Sequence, residues 1–258
     1  MKKVHDRLLE NFRTWFESTG ACKAVIGISG GVDSAVCAKI ATESLGQEKV
    51  LGLLLPHRDF SSRANLQDAR ELCQDLQVDF QEIEIAPLCA PFFALDFAGS
   101  DFVRANLMAR VRANVLFAAA NAENGIVVGT CNRSEIEIGF FTKFGDGAAD
   151  CEILGKLLKT QVFALARNLG LEKFANKRPT AEIFPGHFDE NELGVKYSQI
   201  DAALQKMAQG NFVPQSESER KVQDLHQRSA HKRQMPVIIS SDSRQSSDFG
   251  NQISDFSS

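Results

Sequence analysis

The chain has no surplus of positive charge and no long apolar run, and both absences narrow the class of protein. Its 29 Lys and Arg residues against 33 Asp and Glu residues give a formal net charge of −4. It therefore lacks the basic excess that neutralises nucleic-acid phosphates. No stretch reaches the roughly 18 to 20 apolar residues that span a bilayer, and the start from Met1 to Arg7 has no signal-peptide pattern. We expect a cytoplasmic protein that binds neither membranes nor nucleic acid.

Paired cysteines are also missing. Six cysteines are scattered through the chain without a Cys-x-x-Cys pair: Cys22, Cys37, Cys73, Cys89, Cys131 and Cys151. This spacing argues against a zinc site, an iron–sulfur cluster and a redox dithiol. In a reducing compartment the simplest interpretation is six small, buried apolar side chains.

What the chain does contain is an alternation of strand and helix patterns. With 258 residues, 43% of them hydrophobic, it can bury a sizeable core. Strands are predicted at 23–28, 50–55, 78–85 and 126–130, with helices between them, one long helix running from about Phe102 to Glu123. The pattern predicts an α/β fold with a doubly wound parallel sheet and helices on both faces. Ligands of such sheets bind beyond the carboxyl ends of the strands, where Gly31 and Thr130 fall.

The remaining segments are assigned by composition. An amphipathic helix is predicted around residues 4–16, an irregular segment at 139–150, and a surface loop at 184–197. Another helix is predicted from Lys159 to Leu169. Residues 1–239 are expected to form a single domain, and residues 240–258, which include eight serines, are expected to be disordered.

The most informative segment is Ser29-Gly30-Gly31-Val32-Asp33-Ser34, which lies between a predicted strand and a predicted helix. Adjacent glycines allow backbone N–H groups to approach an anion, and the following helix directs its positive N-terminus to the same place. The Asp33 carboxylate would repel phosphate unless Mg²⁺ lay between them. The segment does not match a Walker A loop or a Rossmann fingerprint. A simple glycine-rich turn with a helix cap is the alternative.

The motif Ser-Gly-Gly-x-Asp-Ser resembles the pyrophosphate loop of the N-type ATP pyrophosphatases. Several downstream segments indicate which family within this group the chain resembles. They are residues 127–135, 139–147, Asp150, 158–162, 178–182, 189–194 and 231–233. In this order the series closely resembles the NAD synthetases over about residues 20 to 239. The resemblance implies a fold like that of the adenine nucleotide alpha-hydrolases.

The resemblance also implies a role for individual residues. The implied ATP site comprises Gly27, Ile28, Ser29, Gly30, Gly31, Val32, Asp33, Ser34, Thr130, Lys159 and Thr180. Asp33 and Glu135 are the implied Mg²⁺ ligands, and Asp33 and Lys159 the implied catalytic residues. The implied site for nicotinic acid adenine dinucleotide (deamido-NAD) comprises Arg110, Lys143, Asp150, His231 and Lys232.

The implied reaction is the last step of NAD biosynthesis. The nicotinate carboxylate of deamido-NAD attacks the α-phosphate of ATP, and ammonia then displaces AMP to form NAD. Glutamine-using members carry a large amidase domain for which this chain has no room, so ammonia is the expected nitrogen donor. The resemblance further implies a homodimer, in which Leu107, Val111 and Val115 contact the partner while Asn106, Arg110 and Asn114 face the dinucleotide.

Other interpretations remain open at this level. Lys143 and Lys159 could be ordinary solvated lysines, and residues 231–233 a surface charge run. A different N-type ATP pyrophosphatase, such as a tRNA-modifying one, is disfavoured by the acidic balance and the missing cysteine pairs. A non-catalytic adenine-nucleotide sensor is disfavoured by the joint presence of Asp33, Glu135 and Lys159, because a sensor needs no paired metal site.

Overall fold

The computed structural model describes residues 1–180 and 188–239. In that part of the chain five strands form one parallel sheet in the order β3-β2-β1-β4-β5. The strands are β1 (Lys23–Gly27), β2 (Val50–Leu54), β3 (Asp79–Glu82), β4 (Gly125–Gly129) and β5 (Cys151–Glu152). The predicted doubly wound α/β fold is confirmed.

The strand order reverses at β1, which pairs with β2 on one side and β4 on the other. Ile26 is the register partner of Gly52 on β2 and of Val128 on β4. In doubly wound sheets the crevice outside such a reversal is where ligands bind. The segments that leave β1 and β4 are those containing Gly31 and Thr130, as the sequence predicts.

Helices cover both faces of the sheet. They are α1 (Lys2–Thr19), α2 (Val32–Leu45), α3 (Arg63–Leu76), α4 (Ala86–Phe93), α5 (Asp101–Ala122), α6 (Arg133–Ile138), α7 (Lys159–Asn168), α8 (Glu172–Ala175), α9 (Asp189–Leu193), α10 (Tyr197–Met207) and α11 (Glu217–Arg228). None of the helices in residues 1–180 and 188–239 is long and apolar enough to cross a membrane.

The two-residue period of β1 divides its buried side chains between two cores. Ala24 and Ile26 join a core with α1, α2, α3 and α7, whereas Val25 joins a second core with α4 and α5. A third core, containing Ile138, Ile200 and Val222, holds α6, α10 and α11 together. Because α6 and α7 border the strand ends, this third core positions side chains at the candidate site.

Local signals explain several element boundaries. The Ser62 side chain accepts the Asn65 N–H at 3.3 Å and so caps α3. Asn132 and Glu135 form a reciprocal capping box at the start of α6. Gly139, with φ of 68°, ends that helix in the left-handed region.

The structure corrects several sequence predictions. The segment predicted as a loop over 184–197 contains helix α9, and Leu193 and Tyr197 are buried in the third core. Residues 181–187 and the predicted disordered tail 240–258 lie outside the described residues. The short strand β5 and helices α4, α8 and α11 were not predicted, and β3 is shorter than expected.

Two residue-level predictions are also wrong. Val111 is only 6% exposed and packs in the second core of its own chain, so it does not face a partner. Cys22 is exposed, whereas Cys37, Cys73, Cys89 and Cys131 are buried as expected and Cys151 is half-buried. All six thiols are free.

Candidate active site

The glycine loop connects β1 to α2 and encloses two serine hydroxyls. Gly30 has a φ of 81°, a conformation that glycine adopts without a Cβ penalty. The Gly31 N–H donates to Ser29 Oγ at 3.2 Å, and Ser29 Oγ lies 3.1 Å from Ser34 Oγ. The loop therefore presents hydroxyl and amide donors at the N-terminus of a 14-residue helix, which suits an anion.

A buried ammonium lies between two carboxylates beside this loop. Lys159 Nζ donates to Asp33 Oδ2 at 2.5 Å and to Glu135 Oε1 at 2.8 Å. Lys159 is only 2% exposed, although it begins helix α7. The structure thus brings together three of the predicted site residues and excludes the alternative that Lys159 is an ordinary solvated lysine.

The charges at this centre do not cancel, since one ammonium faces two carboxylates. Burial lowers the pKa of Lys159, but Asp33 and Glu135 outweigh burial and hold that pKa above its ordinary value. Burial raises the pKa of Glu135 against the opposing charge of Lys159. A further positive charge would therefore be stabilised here, for instance a cation arriving with a nucleotide.

The sequence analysis missed two residues at this centre: Asn132 positions Asp33, and the Tyr197 ring borders Lys159. Asn132, fully buried, donates from Nδ2 to Asp33 Oδ1 at 2.9 Å while capping α6. The Tyr197 hydroxyl donates to Asp189 Oδ2 at 3.1 Å, and its ring lies 5.0 Å from Lys159 Nζ. Asn132 carried a sequence signal, because Asn followed three residues later by Glu is typical of a helix start. Tyr197 carried none.

Asp201 on α10 anchors the start of α7 from a distance in sequence. It accepts hydrogen bonds from the Ser134 hydroxyl and, at 2.8 Å, from the Thr160 N–H. Ser134 Oγ in turn accepts the Lys159 N–H at 2.8 Å. Side chains from α6 and α10 therefore fix the backbone of Lys159. This fixed backbone positions the Lys159 ammonium at the two carboxylates.

Glu152 is a further carboxylate at this edge that the sequence analysis missed. It accepts the Cys131 N–H at 2.9 Å, directly beyond Thr130. A Cβ at Gly129 would collide with the Glu152 carboxylate in its present position, so this carboxylate lies directly against the backbone at the end of β4. Burial raises the pKa of Glu152 to about 8, with the Glu135 charge contributing.

The residues predicted to bind a dinucleotide gather near the loop that follows α6. Lys232 Nζ donates to the carbonyls of Gly139 and Phe141, each at 2.8 Å, and Lys143 Nζ donates to the His231 carbonyl at 2.6 Å. Burial lowers the pKa of Lys232, the charge of Asp146 counteracts this, and the charge of Arg110 lowers the pKa further. The residues 231–233 are thus built into the fold and do not form a free charge run.

The other predicted site residues lie apart from these contacts. Asp150 Oδ2 accepts the Val127 N–H at 2.7 Å, so this carboxylate is engaged by the backbone of β4. Thr130 follows β4 at the carboxyl edge of the sheet and is half-buried. Thr180, also half-buried, is the last residue before the undescribed segment 181–187.

The fold and the site define a nucleotide-binding α/β protein, with a glycine loop suited to an anion at the switch point of a parallel sheet and a charged centre beside it. The chain belongs to the NAD synthase family, whose model matches residues 4–236.

Similar proteins support this membership over nearly the whole chain. The NH(3)-dependent NAD(+) synthetase of Archaeoglobus fulgidus is 36% identical over 238 residues, which cover 92% of this chain and 96% of that protein. The structure of NMN synthetase from Francisella tularensis has a TM-score of 0.84 at 35% identity, covering 92% of this chain and 98% of that one. The NH3-dependent NAD synthetase from Campylobacter jejuni, solved with a nitrate ion, has a TM-score of 0.79 at 27% identity, covering 93% and 98%.

Proposed function

We propose that this enzyme is an ammonia-dependent NAD synthetase, which amidates deamido-NAD to NAD and converts ATP to AMP and pyrophosphate. The observation that carries the proposal is the Asp33, Lys159 and Glu135 centre beside the glycine loop. That arrangement provides an anion cradle and the charges that hold a nucleotide with a divalent cation. The names of relatives that match most of this chain support the choice of substrate and of ammonia.

The reaction needs the nicotinate carboxylate to be activated, because a carboxylate is a poor electrophile. Attack of that carboxylate on the α-phosphate forms an adenylated dinucleotide and releases pyrophosphate; ammonia then displaces AMP. The glycine loop holds the outer phosphates, and Lys159 stabilises the charge that develops on the leaving pyrophosphate. The work of the protein is chiefly positioning and charge stabilisation, so no side chain acts as a covalent nucleophile.

The site residues follow from this assignment. The ATP site comprises residues 27–34 with Thr130, Lys159 and Thr180, and the catalytic residues are Asp33 and Lys159. The dinucleotide contacts Arg110, Lys143, Asp150, His231 and Lys232. The positive charge of Arg110 lowers the pKa of Lys232, which supports this second assignment, because cations that act on each other suit a pyrophosphate or a carboxylate.

The residues at the charged centre also fit Mg²⁺. Asp33 and Glu135 converge on one point, since a single ammonium contacts both. Among the described residues no group of three or more His, Cys, Asp or Glu side chains is placed to hold a metal. The protein ligands would be these two carboxylates, with phosphate and water oxygens as the others, as Mg²⁺ prefers. The ion supplies neutralisation of phosphate charge.

Substitutions at the two carboxylates test the metal assignment. Asp33→Asn and Glu135→Gln should each lower kcat at least about 100-fold, since each removes charge that stabilises the reacting phosphates. Higher Mg²⁺ should restore part of the loss. Glu137→Gln is the matched control, because Glu137 lies on the same helix but pairs with Arg133. Near-normal rates for both variants at low Mg²⁺ would contradict the assignment.

The reaction itself is tested by product analysis. Purified protein with ATP, Mg²⁺, ammonium and deamido-NAD should yield NAD, AMP and pyrophosphate in equal amounts, and ammonia-free glutamine should not replace ammonium. ADP and inorganic phosphate as first products would refute the pyrophosphatase assignment. NAD formation from glutamine at the rate seen with ammonium would refute ammonia dependence.

A second candidate function is amidation of the mononucleotide, which would give NMN in place of NAD. The observation that favours it is the TM-score of 0.84 to the NMN synthetase structure, against 0.79 for the NAD synthetase structure. The same chemistry would operate on a substrate lacking the adenylate half. A comparison of kcat/KM for nicotinic acid mononucleotide and for deamido-NAD decides between the two.

The enzyme is further assigned as a cytoplasmic homodimer whose residues 1–239 form one domain. Six free thiols suit a reducing compartment. Five large apolar side chains from α4, the following loop and α5 are exposed, which we call the apolar patch: Leu88, Phe92, Leu95, Phe97 and Phe102. Exposed apolar side chains grouped in this way along the chain suit an interaction surface, and a second copy is the proposed occupant of the apolar patch.

A further inference from the structure

The carbonyl of Gly30 in the glycine loop is held by a side chain from a distant segment. Lys177, between α8 and Thr180, donates from Nζ to the Gly30 oxygen at 2.8 Å. It also donates to Asn65 Oδ1 at 2.8 Å and forms an ion pair with Asp68. The three donors of this ammonium thus meet three acceptors, from the loop and from the first turns of α3.

The surroundings of Lys177 restrict its movement. Its side chain is 24% exposed and that of Asp68 12% exposed. The Lys177 ammonium lies 5.2 Å from the centre of the Phe174 ring. The hydrogen bonds to Lys173 and Lys177 outweigh burial and hold the pKa of Asp68 below its ordinary value, so the carboxylate stays charged near neutral pH.

The position of Gly30 makes this contact mechanically important. A Cβ on Gly30 would collide with the backbone carbonyl of Asn65, so the loop lies directly against α3. Glycine lacks the side chain that would restrict its backbone, and the peptide between Gly30 and Gly31 has glycine on both sides. That peptide could rotate unless a contact holds it.

We propose that Lys177 is a positioning residue that fixes the Gly30–Gly31 peptide so that the Gly31 N–H faces the phosphates of the nucleotide. In a planar trans peptide the carbonyl and the N–H point in opposite directions. Holding the Gly30 carbonyl outward therefore directs the Gly31 N–H inward, where it now contacts Ser29 Oγ at 3.2 Å. Rotation would turn a carbonyl oxygen toward the phosphates and repel them.

The ammonium also strengthens the amide as a donor. A cation at the carbonyl polarises the peptide, and hydrogen bonds in such a chain reinforce one another. Lys177 thus acts through Gly30 and does not itself touch the nucleotide. The inference rests on the proposed function only in requiring that residues 27–34 bind phosphate.

Lys173 offers a matched control on the neighbouring helix. Its ammonium pairs with Asp68, as that of Lys177 does, and with Glu71 at 2.6 Å, but no described contact links it to the glycine loop. Lys173→Met therefore removes one lysine from the same carboxylate without releasing Gly30. If the Asp68 ion pairs had a purely structural role, Lys173→Met and Lys177→Met would have the same ATP affinity.

The test is ATP binding by calorimetry without dinucleotide, so that no turnover occurs, on the full chain with Mg²⁺. Lys177→Met should bind ATP and inorganic pyrophosphate roughly tenfold more weakly, the expected effect of losing one charge-assisted hydrogen bond. Lys173→Met should bind both as the wild type does. Lys177→Arg, which keeps the charge and donors, should recover most of the affinity. In steady-state assays Lys177→Met should raise KM for ATP more than KM for the dinucleotide.

Two results would overturn the proposal: unchanged ATP affinity in Lys177→Met, or equal losses in Lys177→Met and Lys173→Met. If Lys177→Met does not fold, the test uses Lys177→Arg instead, and the rate of amide hydrogen exchange at Gly31 is measured in this variant and in the wild type. Exchange as slow in Lys177→Arg as in the wild type supports the proposal, and fast exchange with unchanged ATP affinity refutes it. Wild-type protein that binds ATP but forms no amide product would refute the proposed function and would leave the role of Lys177 in ATP binding unaffected.

Discussion

At the scale of single residues, the candidate site combines charges that would each be costly to bury alone. Lys159 is buried with two carboxylates, whereas the nearby Glu152 bonds to the Cys131 N–H and to no cation within residues 1–180 and 188–239. Removing one member of such a group leaves an uncompensated charge. The site is therefore arranged for an incoming positive charge, and its stability depends on pH.

Glu152→Gln should make stability less dependent on pH. The pKa of Glu152 is raised from 4.5 to about 8 in the folded protein. Between these values the folded state retains a proton that the unfolded state has lost, so stability falls as pH rises. Glutamine is neutral throughout. The melting temperature of the variant should therefore rise relative to the wild type from pH 4.5 to pH 8 and then level off.

Thermal unfolding of both proteins in a pH series measures this difference. Glu10→Gln, at an exposed position of α1, is the control and should follow the wild type. Parallel curves for wild type and Glu152→Gln would show that the carboxylate is not held in its neutral form.

At the scale of elements, the site depends on how α6, α7 and α10 meet. Each helix is short or begins with a weak local signal; α7, for example, has no side-chain hydrogen bond from its N-cap residue, Leu158. Asp201 supplies the missing acceptor from α10 by bonding the Thr160 N–H and the Ser134 hydroxyl. Tertiary contacts thus substitute for local capping at the start of α7, where Lys159 lies.

Asp201→Asn should lower the free energy of unfolding by about 1–3 kcal/mol, because a buried donor loses its acceptor. It should also lower kcat, since Ser134 and hence the Lys159 backbone lose their anchor. Urea denaturation and steady-state assays measure the two effects. Asp224→Asn, which removes an exposed pair with Arg228, should change stability by less than about 0.5 kcal/mol. Equal effects of the two substitutions would contradict the anchoring role.

At the scale of the whole molecule, α4 and α5 show why a surface prediction needs the tertiary structure. The sequence analysis assigned Val111 of α5 to a partner-facing surface. Its side chain packs instead in the second core of its own chain. The side chains of the apolar patch lie in α4, the loop before α5 and the first turn of α5, with Phe97 71% and Phe102 73% exposed. The proposed dimer surface therefore moves toward the start of α5.

The double substitution Phe97→Ser and Phe102→Ser should convert a dimer to a monomer. Light scattering should give twice the chain mass of 28.4 kDa for the wild type and the chain mass for the variant. Loss of apolar contact area on both copies explains the shift, because a two-fold interface doubles each substitution. Val213→Ser, at another exposed apolar position, should remain dimeric. A monomeric, fully active wild type would refute the homodimer.

The elements that the sequence predicted are those with local causes. The buried strands β1, β2 and β4 and the long helix α5 follow from hydrophobic period, which acts within a few residues. Helices α4, α8 and α11 were missed, and α9 was mistaken for a loop. Helices α4 and α8 are short, and the 12-residue helix α11 buries only Glu219 and Val222, so these helices have no long period of buried side chains and packing decides them.

The sequence alone determined the alternation of strands and helices and the glycine loop at the end of β1, because backbone geometry and burial period are encoded locally. Resemblance to a family linked Asp33, Glu135 and Lys159. Only the tertiary structure decided that Lys159 meets Asp33 across 126 residues and that Lys177 meets Gly30 across 147. Those contacts depend on strand order and on the packing of α7, α3 and α8 around the loop, and no local pattern records such distances.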